Sequence, residues 1–407
     1  MRANPARLAQ IFTAVGQFYV PLFTAFYFVV VLALETEWRL PYSELIGLWT
    51  LGSLLVGAGA LPAGWFADRI GALPLMSLFF LGMGGAAIGC AFATTPLALM
   101  IGLAFIGLFA AIYHPVGIVW LVRNSTQTGR ALGLNGIFGS AGVSGAGIIT
   151  GAIIDLAGWR AAFLIPGLIC AATGIAFVVA ARRGLLADTV VAPTRKAATA
   201  TRGEMRRGFV VLIFTMFCGG LVFQVLQAGM PKVFAERLGD IAGQGTTGVG
   251  ALVAAVYAVG GVVQYFGGQL ADRYPARRLY IGAYLLQVPA VLIMAGLAGL
   301  PLAAAAMVAV TLSGGLLPAE NMMLTRFTPE RHRALAFGLK YVVAFGTAPL
   351  ALQLLAWLTG TGAGTSAGFT SVFLLLGAVA GAAFLAALAL PGERAAAAAV
   401  PATSAAE

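Results

Sequence analysis

Apolar stretches of about 20 residues follow one another along almost the whole chain. A helix of that length crosses the roughly 30 Å of hydrocarbon in a bilayer. Because lipid offers no hydrogen-bond partner to an open strand edge, these spans must be helices. The sequence therefore predicts an all-α membrane protein with twelve transmembrane helices, at about residues 9–34, 44–66, 72–92, 96–122, 131–154, 160–181, 208–233, 247–269, 279–299, 302–325, 334–357 and 368–390.

The composition agrees with a membrane-embedded chain. Apolar residues make up 60% of the sequence and charged residues 9%, whereas a soluble domain carries roughly 25% charged residues. The 54 glycines suit helices that approach one another closely in lipid. Cys90, Cys170 and Cys218 all lie inside predicted spans, with neither a disulfide pattern nor a metal-ligand spacing. We therefore expect no metal and no cofactor.

The net charge of +10 is explained by topology. If both termini are cytoplasmic, 19 Lys and Arg residues lie on the cytoplasmic side and four on the other. Such a bias sets the orientation of a membrane protein, so no nucleic-acid partner is needed. The first apolar run is also too long for a signal peptide. We expect a multi-pass protein of the bacterial inner membrane with both termini cytoplasmic.

The chain repeats itself at half its length. The segment from Gly64 to Asp68 and Arg69 recurs, 204 positions later, as the segment from Gly268 to Asp272 and Arg273. Such an internal repeat between apolar runs is typical of transporters built from two related bundles. It predicts an N-terminal six-helix bundle at 1–181, a cytoplasmic linker at 182–207, a C-terminal bundle at 208–392 and a disordered tail at 393–407.

The sequence resembles the major facilitator superfamily over essentially its whole length. Twelve spans in two sixes, with Gly-x-x-x-Asp-Arg after spans 2 and 8, are that family's pattern. The resemblance implies a gating loop that latches the two halves in one state, with Asp68 and Asp272 as its acids. The sequence departs from the pattern after Gly71, where Ala72 and Leu73 replace a basic pair. The gating residues implied are Gly64, Asp68, Arg69, Gly268, Asp272 and Arg273.

Three ionisable residues lie at depth in the predicted spans, where each costs about 2.5–3.5 kcal/mol. His114 is about 13.5 Å from Arg123 along its helix, on a rise of 1.5 Å per residue. Glu320 and Lys340 lie at nearly equal depths on consecutive antiparallel helices, so we expect them to form an ion pair. Their function would be proton or substrate binding, and the alternative is a static structural pair.

Further polar residues in the spans complete a predicted substrate and proton path. Helices 1, 4, 5, 7, 8, 10 and 11 commonly line the cavity in the resembled family. The set, which suits a medium-sized, partly aromatic or amphipathic solute, is Gln17, Tyr19, Tyr113, His114, Asn135, Gln224, Gln227, Tyr257, Gln264, Glu320, Asn321, Lys340 and Tyr341.

These features predict a secondary active transporter of a small organic solute that works by alternating access with proton coupling. Multidrug or antibiotic efflux by proton antiport is the alternative, although spans 4 and 5 lack the Arg and Pro of exporter motifs. Tyr113-His114-Pro115 loosely resembles fosmidomycin-resistance exporters, and the glutamine-rich core also resembles the bacterial riboflavin and copper importers. Copper itself is disfavoured because helices 7 and 8 offer no paired Met or His ligands.

Two other classes of protein fit less well. An intramembrane enzyme would need a nucleophile and base or a metal cluster, and the chain has only two histidines. A sensor that does not transport would be expected to carry long soluble extensions. We therefore expect a transporter rather than an enzyme, and a monomer.

Overall fold

The computed structural model describes residues 5–125, 128–187, 201–243, 245–329, 333–360 and 365–392. Within these ranges the secondary structure consists of helices joined by short connections. The helices are α1 (Pro5–Ala25), α2 (Tyr27–Trp38), α3 (Tyr42–Gly47), α4 (Thr50–Ile70), α5 (Ala72–Ala91), α6 (Pro96–Ala110), a π-helical turn (Tyr113–Gly117), α7 (Ile118–Arg123), α8 (Thr128–Arg182), α9 (Arg202–Arg237), α10 (Gly239–Ala242), α11 (Thr246–Arg273), α12 (Ala276–Ile293), α13 (Gly299–Phe327), α14 (Arg333–Thr359) and α15 (Thr365–Leu388).

Ten helical segments in the described ranges are long and apolar enough to cross a membrane. One of them contains nearly all of α8, whose 55 residues would extend about 80 Å if straight. Gly158, at φ 82° and ψ 167°, breaks α8 into two antiparallel crossings. With α12, which begins at Ala276 and carries Arg277 and Arg278 in its first turn, the described residues contain the twelve crossings that the sequence predicted.

Most helix ends fall close to the predicted spans, but α9 begins earlier. It starts at Arg202, inside the segment assigned to the linker. Thr201 accepts a hydrogen bond from the Glu204 backbone, and the Glu204 carboxylate bonds back to Thr201. This capping box stabilises a helix start there. Residues 188–200 of the predicted linker and the predicted tail from residue 393 lie outside the described residues.

Helices α1–α8 and α9–α15 form two halves that pack side by side. The helix ends that carry Arg69, Arg123, Arg182 and Arg273 share one side of the molecule, called here the arginine-rich end. The opposite end carries acids, among them Asp155. At that end α8 and α11 touch through their backbones, since a Cβ on either Gly147 or Gly250 would collide with the carbonyl oxygen of the other.

Candidate functional site

A cavity of about 350 Å³ lies between the two halves. Its wall comes from both halves, and among the described residues that form it none is Asp, Glu, Lys or Arg. The polar residues on the wall are Gln17, Thr24, Ser53, His114, Ser140, Gln224, Gln227, Tyr257 and Gln264, and the aromatic residues besides Tyr257 and His114 are Phe28, Trp49, Phe223 and Phe345.

Six residues of the predicted path therefore lie on the cavity wall: Gln17, His114, Gln224, Gln227, Tyr257 and Gln264. Helix geometry explains two groups of them. Gln224 and Gln227 are three residues apart on α9 and share one face of it. Tyr257 and Gln264 are two turns apart on α11, and Gly260 between them also lies on the wall.

His114 reaches the cavity from the π-helical turn in the fourth crossing. Pro115 follows it and has no backbone N–H to continue the α-helical ladder, which accounts for the irregular turn. The His114 ring lies 5.1 Å, between centroids, from the ring of Phe345 in the other half. The middle of the molecule is thus a place where the two halves touch directly.

Three residues of the predicted path lie behind the wall. Asn135 donates a hydrogen bond of 3.2 Å to the side-chain oxygen of Gln17, and the Tyr113 hydroxyl lies 3.1 Å from the Asn135 oxygen. Tyr19 is hydrogen-bonded to Thr173 at 2.9 Å. Asn135 therefore holds Gln17 in place, and neither Asn135 nor Tyr113 lines the cavity.

Glu320 and Lys340 form the ion pair that their depths predicted. Lys340 Nζ lies 2.8 Å from Glu320 Oε1, and both side chains are only 8% exposed. Lys340 also donates to the side-chain oxygen of Asn321. The Tyr280 hydroxyl lies 3.3 Å from Glu320 Oε2 and 2.8 Å from the hydroxyl of Thr215. The pair is thus buried in a polar network within the C-terminal half.

The ion pair is next to the cavity but outside its wall. Leu317, one helical turn before Glu320 on α13, lines the cavity, as does Phe345 on the helix of Lys340. A displacement of α13 against α14 would therefore reach both the pair and the cavity. The side chain of Tyr341, also in the predicted path, lies outside the described residues.

The gating loop of the first half is exposed at the end of α4. Gly71, at φ 82°, ends the helix, and the guanidinium of Arg69 stacks over the Trp65 ring at 3.3 Å. Asp68 forms neither an ion pair nor a hydrogen bond within the described residues. In the second half Arg273 is exposed, whereas the side chains at Gly268 and Asp272 lie outside the described residues.

At the end opposite the arginine-rich end, a carboxylate of the N-terminal half binds the C-terminal half. Asp155, in the turn between the two crossings of α8, accepts backbone hydrogen bonds from Thr246 at 2.8 Å and Thr247 at 2.7 Å. Both hydroxyls bond to it as well. Partial burial raises the pKa of Asp155, but these hydrogen bonds outweigh burial and leave the pKa below its ordinary value. Asp155 thus caps the first turn of α11, where the helix dipole favours negative charge.

A second contact at this end joins α9 to α2. Lys232 Nζ lies 2.7 Å from Glu35 Oε1 of the N-terminal half and 3.5 Å from Glu236. The Tyr42 hydroxyl donates to the Ala228 carbonyl at 3.3 Å. Closure of the opposite end therefore rests on several polar contacts rather than on one.

The model of the Major Facilitator Superfamily matches this sequence twice, at residues 13–241 and 240–406. The two matches cover the chain and meet between its halves. The chain belongs to the major facilitator superfamily. Membership makes it a multi-pass membrane transporter and not an enzyme, as the sequence predicted. A comparison with curated proteins finds no significant match.

Solved structures of the superfamily share this fold. A bacterial homologue of the human lysosomal transporter Spinster, in an inward-facing and unoccupied conformation, is 15% identical with a TM-score of 0.72, covering 95% of this chain and 97% of the other. A POT family transporter in complex with a thioalcohol-conjugated peptide is 13% identical with a TM-score of 0.74, covering 94% and 95%. These similarities establish the fold. The substrate has to be inferred from the residues of the site.

Two parts of the site were not among the residues predicted from the sequence. Trp49 and Ser53 at the start of the second crossing line the cavity, although that helix was not among those expected to do so. Asp155, which falls between the predicted spans 131–154 and 160–181, is the second part, and the sequence did not single it out. The sequence does show an acid just before Gly158 and two threonines, Thr246 and Thr247, at a helix start. Nothing in the sequence indicates that these two segments meet.

Proposed function

We propose that the protein is a secondary active transporter that moves a small organic solute by alternating access and is driven by protons. The observation that carries this proposal is the pairing of a central cavity with a buried, ionisable pair beside it. The cavity would hold the solute, and Glu320 with Lys340 would hold the proton.

The proton step follows from the chemistry of the pair. When Glu320 is ionised, Lys340 neutralises it, and breaking the pair would leave a buried charge uncompensated. A proton on Glu320 removes the attraction and frees Lys340 to bond to Asn321 alone. Because the pair joins α13 to α14, its protonation would loosen two helices that also form the cavity wall.

Alternating access is supported by the unequal ends of the molecule. Asp155 and Lys232 join the two halves at the opposite end, while Asp68 at the arginine-rich end is free of ion pairs within the described residues. We propose that this conformation opens toward the arginine-rich end and that this end is cytoplasmic. In the alternate conformation Asp68 would serve as the latch and the Asp155 contact would be broken.

Purified protein in lipid vesicles tests this proposal. Solutes that raise the melting temperature of the protein are labelled and followed across the vesicle membrane, with and without an imposed pH gradient. We expect accumulation that depends on the gradient and stops when a protonophore removes it, and its direction separates import from export. Binding without any movement of solute across the vesicle membrane would reject transport. Solute movement that does not depend on the pH gradient would reject proton coupling.

A further inference from the structure

The polar side chains of the cavity wall that have no hydrogen-bond partner among the described residues are concentrated in the C-terminal half. Gln224, Gln227 and Gln264 belong to the C-terminal half, and their side chains form no hydrogen bond with any described residue. The buried Tyr257 hydroxyl likewise has no partner there. All four side chains belong to α9 and α11 and lie on one side of the cavity.

Unpaired polar groups on such a wall require a complementary occupant. A glutamine amide offers two donors and a carbonyl acceptor, and a tyrosine hydroxyl offers one donor and can accept. Leaving a buried group of this kind unmatched costs about 1–3 kcal/mol. Water or solute must therefore supply both donors and acceptors along α9 and α11.

The same wall is poorly suited to a charged solute. The described residues on it include no Asp, Glu, Lys or Arg, and the nearest buried charges, Glu320 and Lys340, neutralise each other. A charge carried into such a cavity would lose hydration without gaining a counter-charge, which is costly. Among these residues His114 is the one that protonation could make positive, and burial disfavours its charged form.

Aromatic rings complete the description of the occupant. Phe28 and Trp49 of the N-terminal half line the cavity, and Phe223 and Phe345 line it from the other half. Such rings pack best against another flat ring. A cavity of about 350 Å³ is at the small end of ligand sites, which suits one or two fused rings.

We infer that the substrate is an uncharged, planar heterocycle whose edge carries adjacent donors and acceptors, as in an amide, lactam or imide. Its polar edge pairs with Gln224, Gln227 and Gln264, and its ring packs against the aromatic side chains of the wall. This inference deepens the proposed function and rests on it, since it assigns a substrate class to the same cavity.

Matched pairs of small molecules test the inference by calorimetry on the intact protein. Nicotinamide with nicotinate, and uracil with orotate, share a ring and differ in the carboxylate; glucose is an uncharged solute without an amide. We expect nicotinamide and uracil to bind at millimolar concentration and each carboxylate to bind at least about tenfold more weakly. Glucose should bind no better than the carboxylates.

Variants locate the binding to the wall. Gln224→Leu combined with Gln227→Leu should weaken nicotinamide and uracil binding about tenfold or more, because two pairings are lost. Gln10→Leu is the matched control: this glutamine lies on α1, the helix of Gln17, but is not on the wall, and its replacement should leave binding unchanged. Equal melting temperatures of the variants exclude a folding defect.

Three results would overturn the inference. They are tighter binding of nicotinate or orotate than of the neutral partner, tighter binding of glucose, and no saturable binding of either neutral heterocycle by protein that melts cooperatively. The vesicle assay separates this failure from failure of the proposed function. Transport of a charged solute or of a sugar would retain the transporter and reject the substrate class.

Discussion

Asp155 of one half and Thr247 of the other are joined by two hydrogen bonds, 2.7 Å from the backbone nitrogen and 2.5 Å from the hydroxyl to the same carboxylate oxygen. Thr246 occupies the second oxygen in the same way. A helix start is normally capped by a residue just before it, but α11 is capped by the other bundle. The cap therefore exists only while the opposite end is closed.

Replacing Asp155 should open that end. Asp155→Ala removes the cap, which is worth about 1 kcal/mol, and should shift the balance of conformations roughly fivefold toward the open one. Electron–electron distances between spin labels at Thr36→Cys and Asp240→Cys, two exposed positions at this end, would report the shift. The three native cysteines are buried and should label poorly.

Glu44→Ala is the control for this experiment. Glu44 is an exposed acid at the same end and has no ion pair to a described residue. Its removal should leave the distances unchanged. If both variants shift the distances alike, loss of negative charge and not loss of the cap would be the cause.

The Asp155 contact should be insensitive to pH near neutrality. The pKa of Asp155 in the closed conformation is below its ordinary value of 3.8. The contact therefore stabilises closure fully above that value and loses this effect only as the pH falls through the lowered pKa. The spin-label shift caused by Asp155→Ala should be the same at about pH 7 and about pH 5. A shift that disappears by pH 5 would show that Asp155 is already protonated there.

The close approach of α8 to α11 predicts opposite effects of two similar substitutions. Gly250→Ala adds a methyl group that would clash with the carbonyl oxygen of Gly147. It should destabilise the observed packing by about 1–3 kcal/mol. Gly282→Ala, where no heavy atom lies near the new methyl group, should stabilise α12 by about 0.5–1 kcal/mol. Melting temperatures in the same detergent should fall for the first variant and rise for the second. Equal shifts would show that the glycine contact does not limit packing.

The twelve crossings and the Glu320–Lys340 pair could be predicted because both follow from position along a helix. Hydropathy sets each span, and the rise per residue sets the depth of each charge. Which side of a helix faces the cavity could not be predicted in the same way. Asn135 and Tyr113 are polar and at the right depth, yet they bond to each other behind the wall, and Asn135 also bonds to Gln17.

The cavity wall was only partly predictable because it draws on apolar residues too. Trp49 and Phe345 look like ordinary core residues in sequence, and only the packing of two halves places them around one space. The capping of α11 by Asp155 depends on contact between segments 91 residues apart. Sequence spacing carries no signal for such a contact.

The buried pair should behave differently from an exposed one in a double-mutant cycle. Lys340→Ala alone leaves Glu320 buried without a counter-charge and should cost about 3 kcal/mol, more than the double change of both residues to Ala. Arg160 and Glu37, 2.7 Å apart and each 45% exposed, are the matched pair, and their coupling should stay below about 1 kcal/mol. Melting curves of the single and double variants give both couplings. A Lys340–Glu320 coupling no larger than that of the exposed pair would count against the pair's role.

Asp68 should act in the direction opposite to Asp155. Because its carboxylate forms no ion pair with the described residues, Asp68→Asn should leave this conformation intact and weaken the alternate one. Solute binding should persist while turnover slows, and the spin-labelled opposite end should become more fully closed. Lost binding in a normally folded variant would contradict the latch role.

The most direct test compares two transport assays on Glu320→Gln in lipid vesicles. Counterflow exchanges solute for solute and needs no net proton movement, whereas accumulation against a gradient does. If Glu320 carries the coupling proton, Glu320→Gln should retain counterflow and lose accumulation driven by a pH gradient, while the exposed control Glu37→Gln keeps both. Proton-driven accumulation that survives in Glu320→Gln would contradict the account.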